Sequence, residues 1–169
     1  MDAKELRKQI LINSEKAGAC HIGSSLSCVE IVLAVSKLDG TMVFSKASGA
    51  ATVYALEGKD WKHLKENPLR YPGGSLGHGL PIACGISLGD RNKKVFCIMS
   101  DAELNEGTTW ESLLFASHNK LNNLTIIVDY NTLQSCGSCD NVLNLEPLAD
   151  KFKSFGFDTI EVDGHNIEA

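Results

Sequence analysis

At 169 residues, 43% hydrophobic and with a net charge of -5, the chain can bury one good core and is expected to form a single domain over 1–169. Its acidic balance and scattered lysines exclude a nucleic-acid footprint. No run approaches the roughly 20 apolar residues of a membrane span, and the polar amphipathic start MDAKELRKQI is not a signal peptide, so a cytoplasmic protein is expected.

Apolar periodicity predicts a first helix over about 2–17, ending at Gly18, and a second over about 27–37. Thr41 to Phe44 reads as a short strand, followed by a helix through Ala50 to Leu56. The polar stretch from Lys59 to Tyr71, punctuated by Pro68 and Pro72, reads as a loop with at most one helical turn. Gly73-Gly74-Ser75-Leu76-Gly77-His78-Gly79 then opens a helix at about Leu80, with Pro81 in the first turn, where its missing N–H costs nothing. Such glycines let backbone amides approach an anion, and the following helix presents its positive end. They serve equally well for tight helix–sheet packing.

The stretch from Val95 to Asn131 carries the most chemistry. Val95 to Met99 and Leu124 to Val128 are short, continuous apolar runs, which suits strands of a parallel sheet buried on both faces. Between them Trp110, Leu113, Leu114, Ser117 and Leu121 recur at helical spacing. A strand–helix–strand unit with a right-handed crossover brings the carboxyl ends of both strands to one sheet edge. Asp101 and Asn131 then meet in one crevice, and with the backbone carbonyl of Leu133 they form a hard-oxygen set suited to Mg²⁺ carrying a phosphate ligand. Read alone, Asp101 is equally a helix-capping or turn acid, and Asn131 a turn residue. A loop, a helix over about 146–155 and a last strand from Asp158 to Val162 complete the predicted elements.

Of the six cysteines, Cys20, Cys28, Cys84 and Cys97 lie in apolar patterns and read as ordinary buried thiols. Cys136-Gly137-Ser138-Cys139 has the spacing of a redox or half-zinc motif, but no second pair exists and neither His118 nor His165 stands at ligand spacing. The loop reading is preferred to redox chemistry.

SDAELNEG, followed about thirty residues later by VDYN, resembles the thiamine diphosphate motif of transketolases. The likeness extends to GACHIGSSLSCVEI, GGSLGHGLPIACGISLG and LEPLADKFKSFGFDTIEVDGHNIEA, in the family's order, and is closest to the amino-terminal part of transketolases made as two chains. It implies a three-layer α/β/α fold with a mainly parallel sheet, the diphosphate-binding domain of that family. It implies thiamine diphosphate and Mg²⁺ as cofactors, with Asp101, Asn131 and the Leu133 carbonyl on the metal and with Gly74, Ser75, Leu76, Ala102 and Asn131 at the cofactor. Ala102 replaces a glycine whose amide contacts the diphosphate; it keeps the N–H but adds a methyl group and resists positive φ. Glu106 matches an acid at the family's subunit interface, and His21 a substrate-contacting histidine; on their own the first is a first-turn acid and the second a surface or capping residue.

The departures are as specific. Ser45-Lys46-Ala47-Ser48 stands where transketolases have Ser-Lys-Gly-His, so Ser48 replaces a histidine beside the cofactor, and a hydroxyl cannot act as an imidazolium does. The segment before Thr41 and the loop before Gly73, which normally carries a Gly-His-Pro histidine, are short, and the chain stops at Ala169, before the usual end of an amino-terminal subunit. The glutamate that activates the cofactor belongs, in the family, to a separate pyrimidine-binding domain. The resemblance therefore implies a transferase subunit, inactive alone, that moves a two-carbon ketol unit between sugars or sugar phosphates with a pyrimidine-domain partner chain, as a homodimer or heterotetramer. The alternative is a shortened, inactive relative kept as a binding or regulatory protein.

Overall fold

The computed structural model describes residues 1–59 and 75–167. Contacts divide the chain into two units, one of 1–38, 46–75 and 163–169, the other of 39–45 and 76–162.

The first unit is helical. Helix α1 (Ala3–Ala17) starts where the Asp2 carboxylate accepts the Glu5 N–H at 2.8 Å and stops at Gly18, whose left-handed backbone (φ 61°) lets its N–H close on the carbonyls of Ser14 and Glu15. Leu6, Ile10, Ser14 and Ala17 are its buried stripe. The helix predicted over 27–37 is present as α3 (Val29–Val35), and a short helix that was not predicted, α2 (Ile22–Ser27), precedes it, the two broken at Cys28. Side chains explain the break: the Thr52 hydroxyl donates to the Ser25 carbonyl at 2.6 Å, and the Cys28 thiol to the Ser24 and Ser25 carbonyls at 3.6 Å. These are carbonyls a continuous helix would use itself. A 3-10 turn (Ala47–Gly49) leads into α4 (Ala50–Leu56), as expected. Leu6, Ile10, Val29, Leu33, Ala51 and Ala55 form the core. Beside it Arg7 grips Glu30 through both terminal guanidinium nitrogens, at 2.7 and 2.8 Å.

The second unit is α/β. Strands β1 (Thr41–Phe44), β2 (Val95–Ser100) and β3 (Leu124–Asp129) form a parallel sheet in the order β1-β2-β3, with Phe44 opposite Ile98 and Ser100 opposite Asp129. Every residue of the central strand is buried, as its unbroken apolar run requires. Helix α5 (Gly79–Gly89) packs on the sheet and against α6 (Gly107–His118). The stripe that α6 buries is Thr109, Ser112, Leu113 and Ala116. Leu114, one of the residues that recur at helical spacing, is 60% exposed, since it lies about 100° around the helix from Leu113.

After β3 come a two-residue hairpin, β4 (Leu133–Gln134) with β5 (Gly137–Ser138), and the short helix α7 (Cys139–Val142). Helix α8 (Leu148–Ser154) starts two residues later than predicted. Phe152 and Phe155 set it on Trp110 of α6, with ring centroids 6.3 and 6.0 Å apart. The last predicted strand, Asp158 to Val162, is not formed; Ile160 is 84% exposed. Its β-branched residues favour an extended chain, but a strand also needs a neighbour's N–H and C=O groups, and β3 remains an edge of the sheet. Among the described residues no helix is long and apolar enough to cross a membrane.

Candidate functional site at the strand ends

The ladder pairs Ser100 with Asp129 at the last step of β2 and β3. Asp101 and Asn131 follow these positions closely, at the carboxyl ends of adjacent parallel strands, as the sequence predicts. Asp101 is 2% exposed. Its Oδ1 accepts the Ala102 N–H at 2.8 Å, and its Oδ2 accepts the Cys139 thiol at 3.5 Å. The Cys139 N–H in turn donates to the carbonyl of Thr132 at 2.9 Å. Two contacts therefore carry Asp101 into the turn that contains Asn131. In that turn the Asn131 Oδ1 accepts the Leu133 N–H at 2.9 Å, around a left-handed Thr132 (φ 64°). A carbonyl oxygen has two lone pairs, so Asn131 can hold this turn and still face a cation. A carboxylate and carbonyl-type oxygens suit a hard divalent ion.

Around Asp101, side chains that sequence reasoning overlooked supply a second layer. Asn105 Nδ2 donates to Gln134 Oε1 at 3.1 Å, and Gln134 Nε2 to the Cys139 sulfur at 3.4 Å. Burial, the largest cause, raises the pKa of Cys139, and the nearby Asp101 carboxylate raises it further. It therefore stays a thiol, the form that can donate to that carboxylate. All six cysteines are free, Cys136 exposed and Cys139 buried. Among the described residues no cluster of three or more His, Cys, Asp or Glu side chains is suited to a metal.

Glu103 is a further residue missed. It is completely buried and shares a reciprocal cap with Ser100, accepting its N–H at 2.8 Å and its hydroxyl at 3.2 Å. Its other oxygen accepts the Gly77 N–H at 3.3 Å and, in a short contact, the Ser45 hydroxyl. The Ser-x-x-Glu spacing was the available signal; the partners across the unit left none.

The remaining predicted residues are placed as follows. Gly74, like Gly73, lies outside the described residues; Ser75 is exposed and Leu76 half-buried. Ala102 is half-buried at the start of the 3-10 turn Asp101–Asn105. Glu106 is exposed, flanking Gly77, and Leu133 is 68% exposed. In the first unit His21 is exposed, with a left-handed backbone (φ 63°), directly before α2. There Ser48 pairs with the Ser24 hydroxyl at 2.7 Å, and the buried Lys46 donates to the Ser24 carbonyl at 2.9 Å.

A family model described as the thiamine diphosphate binding domain of transketolase matches residues 73–169. One apulose-4-phosphate transketolase subunit, from Actinobacillus succinogenes, is 30% identical over 99% of this chain and 75% of its own. The subunit SqwG of a 6-deoxy-6-sulfo-D-fructose transketolase from a Clostridium species is 31% identical over 98% of this chain and 74% of its own. An uncharacterised transketolase family protein of Sinorhizobium fredii is 48% identical, over 57% of this chain and 36% of its own. The crystal structure of Campylobacter jejuni transketolase superposes with a TM-score of 0.82 at 24% identity, covering 98% of this chain and 33% of that one. The chain thus spans about three quarters of the subunit-type relatives and a third of the solved enzyme.

Proposed function

The chain belongs to the transketolase family through its thiamine diphosphate-binding domain, and from that membership we propose that it is the amino-terminal subunit of a two-chain transketolase, moving a two-carbon ketol unit between sugars or sugar phosphates. Thiamine diphosphate, when bound, would supply the nucleophilic carbon that two-carbon transfer requires. Asp101, Asn131 and the main-chain carbonyl of Leu133 hold Mg²⁺. Gly74, Ser75, Leu76 and the Ala102 amide serve the diphosphate, His21 the sugar, and Glu106 the subunit interface. A pyrimidine-domain chain provides the activating acid, in a homodimer or heterotetramer in the cytoplasm; relatives named as transketolase subunits support the need for a partner. Activity depends on that acid, since general acid–base help is typically worth about 10² to 10⁴ in rate.

The observation that carries the reading is the buried Asp101 at the end of β2, beside the end of β3 that leads to Asn131. A shortened, inactive binding protein is the second reading. What favours it is Ser48, which stands in the place of a family histidine and is tied to Ser24.

Calorimetric titration with thiamine diphosphate, with and without Mg²⁺, tests the proposal. Binding should need Mg²⁺, and Asp101→Asn should abolish that Mg²⁺-dependent binding while circular dichroism stays unchanged. Binding indifferent to Mg²⁺ and to Asp101 would sink the metal assignment. Mg²⁺-dependent binding without ketol transfer, even beside a cognate pyrimidine-domain chain, would favour the second reading.

A further inference from the structure

Glu103 is a buried carboxylate with more partners than a helix start needs. One oxygen takes the Ser100 N–H and hydroxyl, which completes the cap. The other reaches outward to the Gly77 N–H and the Ser45 hydroxyl, and the Ser45 oxygen accepts the Gly79 N–H at 3.1 Å. Three separate pieces of chain meet on this group: the end of β1, the glycine turn and the end of β2. The glycine turn is also held from its other side, where the Thr108 hydroxyl donates to the Gly77 carbonyl at 3.2 Å. There is no slack to take up a lost tie. A Cβ at Gly79 would fall on Ser45, and one at Gly77 would lie 2.6 Å from the Thr108 hydroxyl.

We propose that Glu103 is a positioning residue for the cofactor site: its carboxylate fastens the turn that carries Leu76 to the strand end that carries Asp101 and Ala102. Diphosphate-binding and metal-binding groups are then held at one separation before either ligand arrives. Preorganisation of this kind raises affinity because the ordering cost is met on folding rather than on binding. The inference rests on the roles proposed above for Leu76, Asp101 and Ala102.

Glu103→Gln separates this role from simple capping. Glutamine serves in a capping box as well as glutamate does, so a residue that only starts the turn would tolerate the change. Glutamine has a single acceptor oxygen, however, and the N–H groups of Ser100 and Gly77 point at different carboxylate oxygens. With its oxygen kept on the Ser100 N–H, as the capping box requires, the amide turns its NH₂ group on the Gly77 N–H.

The test uses the full chain and two readouts. In the absence of ligand, amide hydrogen exchange at Gly77 should quicken at least about tenfold in E103Q, the scale of one lost hydrogen bond to a charged group. Calorimetry with thiamine diphosphate and Mg²⁺ should show affinity reduced by about tenfold or more. Leu6→Ala, a core change in the first unit, should lower stability and leave affinity unchanged. Should E103Q fail to fold, Ser45→Ala removes one arm only and should speed exchange at Gly79 and weaken binding in the same direction. Unchanged Gly77 protection, or cofactor affinity within about twofold of wild type, overturns the positioning role. A wild-type chain that binds no cofactor overturns the functional reading, and the cofactor role of Glu103 with it, while the exchange data still decide whether the three segments are clamped.

Discussion

Gly77→Ala is expected to be far more damaging than Gly18→Ala, although both glycines are left-handed, at φ 76° and 61°. Placing an L-residue there costs roughly 1–2 kcal/mol, of which about 0.4–1 is returned by the stiffer unfolded chain. At Gly18 nothing lies within 4 Å of the added methyl, so the net loss should be about 1 kcal/mol. At Gly77 the methyl would sit 2.6 Å from the Thr108 oxygen and 2.8 Å from the Glu106 Cβ. That Cβ is one bond from the main chain and cannot swing aside, and such overpacking adds about 1–3 kcal/mol. The total for Gly77 is then roughly 2–4 kcal/mol, or about 1–3 more than for Gly18. Urea unfolding of both variants, with slopes compared to guard against a change of mechanism, measures the difference. Equal losses would refute the close packing of the glycine turn against the start of α6.

Two further outcomes follow from burial and charge. Burial of Glu30 works to raise its pKa, but hydrogen bonds, that of Arg7 foremost, outweigh it and hold the carboxyl below its ordinary 4.5. Stability from this group is therefore complete above about 4.5 and lost as pH falls through the lower folded value. Glu30→Gln should cost about 1–3 kcal/mol at pH 7, with the gap from wild type closing as pH falls below the ordinary 4.5 and through the lower folded value; a gap that persists in acid would contradict the sign. In thiol labelling near pH 8, Cys20 and Cys136 should react quickly and Cys28, Cys84, Cys97 and Cys139 only on unfolding. The first two are exposed and the rest buried, and burial pushes the Cys84 thiol up to about 11 and Cys97 higher still. Fast labelling of Cys84, Cys97 or Cys139 would show that the second unit opens more readily than its packing suggests.

What the sequence determined by itself was local. Asp2 and Gly18 mark both ends of α1 because capping chemistry lies in neighbouring residues. The apolar runs at 41–44, 95–99 and 124–128 lie in three parallel strands; the central one is buried throughout, as an unbroken apolar run allows, while β1 and β3 are only partly buried. The placement of Asp101 and Asn131 at one sheet edge followed from strand direction alone. Family membership was legible because several motifs stand in order along the chain.

What only the tertiary structure decided depended on partners distant in sequence. Glu103 reads as an ordinary turn acid until Gly77 and Ser45, 26 and 58 positions away, arrive on its second oxygen. The break at Cys28 needs Thr52, 27 positions beyond the carbonyl it takes at Ser25. Ile160 and Val162 carry strand propensity, yet they remain outside the sheet. Propensity belongs to a residue, whereas a hydrogen-bond ladder belongs to a pair of segments, and the sequence specifies such a pair only through the fold.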